Sequence, residues 1–148
     1  MARQATTRRQ VHSERAQWAW TKVSDVWETH QRTAVAKEYA THVRKLPARI
    51  QINGLGQALA FLFAKSKGGD RREEREEDLN AAGRLLVQLG ERMGGIVGGQ
   101  RSMQKRADIM KVLVTLSPDE YRRCTHELMT TAEWLKRFVD GLFEKDEQ

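Results

Sequence analysis

The sequence contains few of the residues that disulfide-bonded, sheet-rich and membrane-spanning proteins use. Its 148 residues include one cysteine, Cys124, two prolines and two tyrosines. A single cysteine has no partner for a disulfide within the chain. The longest apolar run, 55–64, is interrupted by Gly56 and Gln57 and is far shorter than the roughly 20 residues of a membrane span. We therefore expect neither an internal disulfide nor contact with a membrane.

The first residues lack the apolar core of a secretion signal. Residues 1–10 are basic, and the segment that follows them is charged and amphipathic. A signal peptide would place a continuous apolar stretch at this point. We therefore expect a cytoplasmic protein.

The composition favours a helical fold. Hydrophobic residues make up 39% and charged residues 31% of the chain, which is too apolar for general disorder. Apolar residues recur at spacings of three and four, the period of an amphipathic helix. The apolar stripe of the first predicted helix consists of Ala16, Ala19, Trp20, Val23, Val26 and Trp27. The stripe of the helix that follows the charged segment consists of Leu79, Ala82, Leu86, Leu89 and Met93. We predict an all-α, single-domain bundle of about six helices over 1–148, with a flexible basic arm at 1–9 and connecting loops at 65–78 and 94–101.

Three local signals predict where helices begin and end. Pro47 suits the first turn of a new helix, where its missing N–H costs nothing. Asn53-Gly54 is a good helix stop. Ser117-Pro118, followed by Glu120, has the pattern of a capping box, so we expect the last helix to begin there.

The net positive charge is concentrated in the first third of the chain. The whole sequence has 26 basic and 20 acidic residues, and residues 1–50 hold ten basic against four acidic ones. The other two thirds are balanced. Such a localised excess favours a surface that meets phosphates or an acidic partner. A merely soluble basic surface is the alternative.

Trp18 lies opposite the apolar stripe of the first predicted helix, close to Arg15 and Lys22. There it could stack on an unpaired base while the two cations bind phosphates. The alternative is that a neighbouring helix or the N-terminal arm covers the indole ring.

No catalytic constellation is visible in the sequence. The four histidines are dispersed, and none pairs with another His or Cys at metal-ligand spacing. Cys124 falls on an apolar stripe, which is typical of a buried structural thiol. The glycine-rich segments at 54–57 and 94–99 lack the complete dinucleotide-binding and P-loop patterns. We expect a protein that is not an enzyme and has no metal or other cofactor.

One segment resembles a known family. Residues 45–62, KLPARIQINGLGQALAFL, combine leucine-proline, an apolar turn, Asn-Gly-Leu-Gly-Gln and an apolar helix. This pattern, with the preceding 37–39 and the opening helix at 10–23, is similar to the small helical subunit of the type III-B CRISPR effector, the Cmr complex. The close match covers roughly 10–63, and the second half matches mainly in helical pattern.

The resemblance implies a non-catalytic subunit in antiviral defence. In such complexes several copies of the small subunit stack as a filament and line the channel where target RNA pairs with guide RNA. The implied partners are the other Cmr subunits, further copies of this chain, guide RNA and target RNA. Because base pairing supplies the sequence specificity, the lining subunit needs only cations that recognise backbone shape.

The candidate nucleic-acid contacts are chosen by charge and position: Arg8, Arg15, Trp18, Lys22, Lys37, Arg44, Lys45 and Arg49. The stretch 53–63 is interpreted as the structural signature of the family, whose glycines allow close helix packing. The charged segment 70–78 is either a solvated loop or a contact between copies.

Two other classes of protein remain open at this point. One is a free-standing helical nucleic-acid-binding regulator, although no short turn is followed by a polar recognition helix. The other is a helical adaptor that binds only protein and would show no salt-dependent binding of nucleic acid.

Overall fold

The fold is a bundle of α-helices. The computed structural model describes residues 2–31, 33–67, 76–98, 103 and 105–143, with side chains from residue 8 onward. The helices within these ranges are α1 (Ala2–His30), α2 (Ala34–Lys65), α3 (Ala81–Val97), α4 (Arg106–Val114) and α5 (Pro118–Leu142), with a turn of 3-10 helix at Glu76–Asp78. These ranges contain no β-strand. The all-α prediction is confirmed, and the predicted number of helices is close.

The second helix is broken into two segments at Gly54. This residue has φ 85° and ψ 160°, a conformation open essentially to glycine alone. The predicted helix stop at Asn53-Gly54 is therefore confirmed, with helical segments at 34–53 and 55–65 on either side of it.

The prediction that Pro47 begins a new helix is wrong. Pro47 lies inside the first segment of α2, even though proline removes one backbone hydrogen bond and disfavours a helix interior. Leu46 and Ile50 on either side of it are 1% and 2% exposed. Burial of this apolar face keeps the segment helical, so tertiary packing outweighs local propensity here.

The core is built from the apolar stripes of α1, α2, α3 and α5. The stripe predicted for α3 is buried throughout, and α5 buries Cys124, Leu128 and Leu135. Trp20 departs from the predicted stripe of α1: it is 47% exposed and meets Phe138 edge to face at 5.3 Å between ring centroids.

The shortest helix, α4, packs closely against α3. A Cβ atom built on Gly90 would lie 2.5 Å from Cδ1 of Ile109, so only glycine allows this approach. Before α3, the Asn80 side chain caps the helix by accepting a hydrogen bond from the Gly83 N–H at 3.0 Å. The capping box predicted for α5, with Ser117 and Glu120, is present.

The structure also differs from the predicted loops. Helix α3 continues to Val97, four residues into the predicted loop 94–101, because Ile96 and Val97 pack against the core. Residues 99–101 lie outside the described part of the chain.

Of the predicted loop 65–78, Lys65 ends α2 and Glu76–Asp78 forms the 3-10 turn. Residues 68–75, which include most of the charged segment 70–78, lie outside the described part of the chain. At the other end, α1 extends back to Ala2 through the segment predicted as a basic arm. Residues 2–9 contain neither glycine nor proline to interrupt it.

Candidate nucleic-acid interface

Arg15, a predicted phosphate contact, lies in a partly buried ion network. Its Nη2 is 2.6 Å from Oε2 of Glu127, and its side chain is 12% exposed. Glu127 also accepts a short hydrogen bond from Arg92, whose Nη1 is 2.6 Å from Glu14. The network joins α1, α3 and α5, so Arg15 contributes primarily to helix packing.

The two arginines govern the ionisation of Glu127. Burial alone would raise the pKa of this carboxyl group. Hydrogen bonds from Arg15 and Arg92 outweigh that effect and hold the pKa below its ordinary value of 4.5. The carboxylate is therefore charged at neutral pH, and the two guanidinium groups balance its negative charge.

Trp18 lies against α3. Its Nε1 donates a hydrogen bond to Glu91 at 3.2 Å, and the guanidinium carbon of Arg92 is 5.3 Å from the ring centroid. Lys22 lies 5.8 Å from the same centroid and forms a 2.9 Å ion pair with Glu91. This arrangement supports the interpretation that a neighbouring helix covers the indole.

Arg44 joins α2 to the end of α5. Its Nε donates to Asp140 at 2.9 Å, and its Nη2 donates to the carbonyl oxygen of Phe143 at 3.1 Å. The remaining predicted contacts form no ion pair with a carboxylate of the described residues. Arg8, Lys37 and Lys45 are exposed, and Arg49 is half-buried.

Arg49 is part of a group of cationic and aromatic side chains on α2. Its guanidinium carbon lies 3.6 Å from the ring centroid of Phe61, and Nζ of Lys65 lies 5.9 Å from that centroid. The ring of His42 meets Phe61 edge to face at 6.2 Å. We call His42, Lys45, Arg49, Phe61 and Lys65 the Phe61 cluster.

The break at Gly54 is what brings the Phe61 cluster together. In a straight helix, residues 49 and 61 would be about 18 Å apart along the axis at 1.5 Å per residue. The side chains of arginine and phenylalanine cannot bridge that distance to reach 3.6 Å. The segments 34–53 and 55–65 must therefore turn back towards each other.

The end of the second segment is fixed by Asn80. Its Nδ2 donates a hydrogen bond to the carbonyl oxygen of Lys65 at 2.9 Å, and its Oδ1 accepts one from the N–H of Lys67, also at 2.9 Å. The residue that caps α3 thus also anchors the backbone that carries Lys65.

The positive charge of the Phe61 cluster acts on His42. Burial lowers the pKa of His42 below its ordinary value of 6.5, and the charges of Arg49, Lys45 and Lys65 lower it further, against an opposing effect of Glu38. Within the described ranges, no carboxylate lies at ion-pair distance from the three cations.

The sequence analysis found only part of this group. It named Lys45 and Arg49 but omitted Lys65, which it assigned to a loop, and Phe61 and His42, which it left in the helical pattern. Across the bend, Phe61 contacts Arg49 and His42, which precede it by 12 and 19 positions. Helical periodicity predicts contacts only between residues three or four positions apart, so it could not predict these. The available signal was the stop at Asn53-Gly54 between a basic helical segment and an apolar one that ends in Lys65.

The described residues give no support for a metal site, a reactive cysteine or a membrane-spanning helix. No group of three or more His, Cys, Asp or Glu side chains is placed there to hold a metal ion. Cys124 is buried, and burial raises the pKa of its thiol above the ordinary value, which disfavours the reactive thiolate. No helix in the described part of the chain is long and apolar enough to span a membrane.

Comparison with known proteins identifies the family. The sequence matches the family described as "CRISPR-associated protein (Cas_Cmr5)" over residues 11–142. It is 32% identical over 130 residues to the CRISPR system Cmr subunit Cmr5 of Thermus thermophilus, covering 88% of this chain and 93% of that protein.

The fold is also similar to that of a solved relative. The crystal structure of a CRISPR-associated Cmr5 family protein from Thermus thermophilus aligns with a TM-score of 0.62 and 25% sequence identity, over 90% of this chain and 97% of that one. The match extends well beyond the residues 10–63 that carry the resemblance seen in the sequence. This chain belongs to the Cmr5 family, the small-subunit family of the type III-B CRISPR Cmr complex.

Proposed function

We propose that the chain is a non-catalytic subunit of a cytoplasmic Cmr effector complex in antiviral defence. Several copies stack beside the guide-bearing backbone and line the channel where target RNA pairs with guide RNA. Sequence specificity comes from base pairing, and this subunit supplies contacts to the nucleic-acid backbone that do not depend on sequence.

The Phe61 cluster is the observation that carries this proposal. Three of the basic residues selected from the sequence, Arg15, Lys22 and Arg44, pair with carboxylates in the fold. Lys45 and Arg49, joined by Lys65, have no carboxylate at ion-pair distance among the described residues and lie on one helical element. A cluster of cations of this kind is suited to a polyanion.

Affinity co-purification from the native host tests the proposal. We expect the tagged chain to recover several larger proteins and short RNAs that share a constant end. Recovery of the chain alone, or with fragments of DNA, would contradict a role in an RNA-guided complex. The DNA result would favour the free-standing regulator, and recovery of the chain alone would support neither function.

A further inference from the structure

We propose that α1 is a movable helix, held on α5 by an apolar seam and on α3 by a polar latch that opens without unfolding of the bundle. The latch consists of Glu14, Trp18 and Lys22 on α1 with Glu91 and Arg92 on α3. This inference concerns a conformational change within the chain and does not depend on the proposed function.

The α1 side of the latch is a single stripe of the helix. Glu14, Trp18 and Lys22 recur at intervals of four residues, so their side chains lie on the same face. Glu14 pairs with Arg92 at 2.6 Å. Glu91 pairs with the ammonium group of Lys22 at 2.9 Å and accepts the indole N–H of Trp18 at 3.2 Å. Charges of opposite sign therefore face each other in one register along the two helices.

The seam with α5 holds α1 in a different way. Helix α1 packs mainly against α5 and buries Ala19, Val23 and Val26 completely. The rings of Trp20 and Phe138 also meet across this seam. Because the burial of apolar surface is not screened by salt, the seam persists under conditions that weaken the latch.

The latch itself is only weakly closed. The side chains of Glu14 and Glu91 are 58% and 55% exposed, and ion pairs that reach solvent contribute little to stability and are screened by salt. In addition, Nε of Arg92 is buried without a hydrogen-bond partner in the described part of the chain. A buried unpaired donor costs free energy, which is recovered when opening admits water.

Glu127 on α5 limits the movement. It accepts hydrogen bonds from Arg15 on α1 and from Arg92 on α3, and these bonds join each helix to α5 rather than to one another. Partly buried pairs of this kind are screened less than exposed ones. Opening of the latch therefore breaks the contacts between α1 and α3 and leaves both helices attached to α5.

The state of the latch decides what α1 presents to solvent. In the closed state Glu91 binds the indole N–H of Trp18, and the guanidinium carbon of Arg92 lies 5.3 Å from the ring centroid. A ligand of Trp18 or Lys22 must compete with these two residues of α3. Such a ligand would in turn favour the open state, because it binds that state better. The latch is thus an internal competitor for this stripe of α1.

The indole N–H of Trp18 provides a local measure of opening. In the full chain labelled with ¹⁵N, each of the four tryptophans gives one indole signal, and Trp18→Phe identifies the signal of Trp18. Raising sodium chloride from about 0.1 M to about 1 M shortens the screening length from about 10 Å to about 3 Å. We expect the indole proton of Trp18 to exchange with water about two- to fivefold faster at the higher salt, while those of Trp20 and Trp134 change little.

Three variants separate the charge of the latch from general packing. Lys22→Gln should accelerate exchange of the Trp18 indole proton about two- to fivefold at low salt and reduce the further effect of salt. Lys22→Arg keeps the charge and should exchange as the wild type does. Lys136→Gln removes an exposed charge from α5 and should leave the Trp18 indole proton unaffected. Thermal unfolding of each variant confirms that the bundle is folded before exchange is compared.

The latch is wrong if salt leaves exchange at Trp18 unchanged, or if it accelerates all four indole protons equally, because α1 then opens only when the bundle unfolds. It is also wrong if Lys22→Gln exchanges as the wild type does, or if Lys136→Gln has the same effect as Lys22→Gln. The measurement contains neither RNA nor another subunit, so failure of the latch leaves the proposed function untouched.

Discussion

The phenolic oxygen of Tyr121 accepts a hydrogen bond from the backbone N–H of Gly56 at 2.9 Å. Gly56 is the second residue after the break at Gly54, so its N–H belongs to a new helical segment and has no intrahelical acceptor. A side chain from the first turn of α5 thus caps the second half of α2. This contact helps to hold the bend that assembles the Phe61 cluster.

Replacement of the two glycines at the bend should have unequal effects. Gly54→Ala places a side chain at φ 85°, ψ 160° and should destabilise the fold by about 1–3 kcal/mol. At Gly56 a Cβ atom would lie 3.4 Å from the Tyr121 hydroxyl, an ordinary contact, and alanine should change the stability by less than about 1 kcal/mol. Urea denaturation measures both, and equal losses would show that conformation at Gly54 is not the cause.

Removal of the Tyr121 hydroxyl should weaken the bend without altering its backbone. Tyr121→Phe leaves the Gly56 N–H without its protein acceptor, and we expect a loss of about 0.5–1.5 kcal/mol in the free energy of unfolding. Hydrogen exchange would locate the change, because the amide of Gly56 should exchange faster in the variant. Unchanged exchange at Gly56 would contradict the capping role of Tyr121.

The ion network around Glu127 should matter more than an ion pair at the surface. Glu127→Gln leaves Arg15 and Arg92 without their shared counter-charge in a site where the Glu127 side chain is 8% exposed. We expect a loss of about 2–4 kcal/mol in the free energy of unfolding. Arg123→Gln breaks the exposed 3.1 Å pair with Asp119 and should cost no more than about 0.5 kcal/mol. Equal losses in the two variants would contradict the structural role of the network.

Acid should destabilise the fold through its histidines. Burial, then the charge of Arg84, lowers the pKa of His30 against an opposing effect of Asp25, and His42 is shifted in the same direction. The unfolded chain therefore binds more protons than the folded one just below pH 6.5, the ordinary pKa of these groups. The contribution of the two histidines to the free energy of unfolding is therefore fully present above pH 6.5 and decreases as the pH falls from 6.5 through their lowered pKa values.

Urea midpoints at pH about 7.5 and about 5.5 measure the effect on each side of the histidine pKa of about 6.5. His42→Gln should show a smaller loss on acidification than the wild-type chain, and an equal loss would contradict the prediction. Glu127 contributes in a separate, more acidic window, because its pKa lies below 4.5 and its stabilisation is lost only as the pH falls through that lowered pKa.

Local signals in the sequence predicted much of the fold but little of the geometry of the site. The stripe of α3, the capping box at Ser117 and the stop at Gly54 depend on neighbours within a few residues, and all are present. Pro47 and Trp20 departed from expectation because packing against other helices decided their environments.

Charge alone could not separate the cations that pack the fold from those that face outward. Arg15 and Lys45 are both basic residues in the first third of the sequence. Only the fold shows that α5 supplies Glu127 to Arg15, from a position 112 residues away. Pairing over such a distance leaves no periodic signal, which is why the sequence analysis grouped buried and exposed cations together.

The most direct test of the account measures the affinity of the assembled complex for target RNA. A complex built with Lys45→Gln, Arg49→Gln and Lys65→Gln combined in this subunit is compared with one built with Lys136→Gln. We expect both to assemble, and the triple variant to bind target RNA on the order of a hundredfold more weakly at 0.1 M salt, since three phosphate contacts, each worth about five- to eightfold, are removed. An assembled triple-variant complex that binds target RNA as tightly as the wild type would contradict the claim that this surface lines the RNA channel.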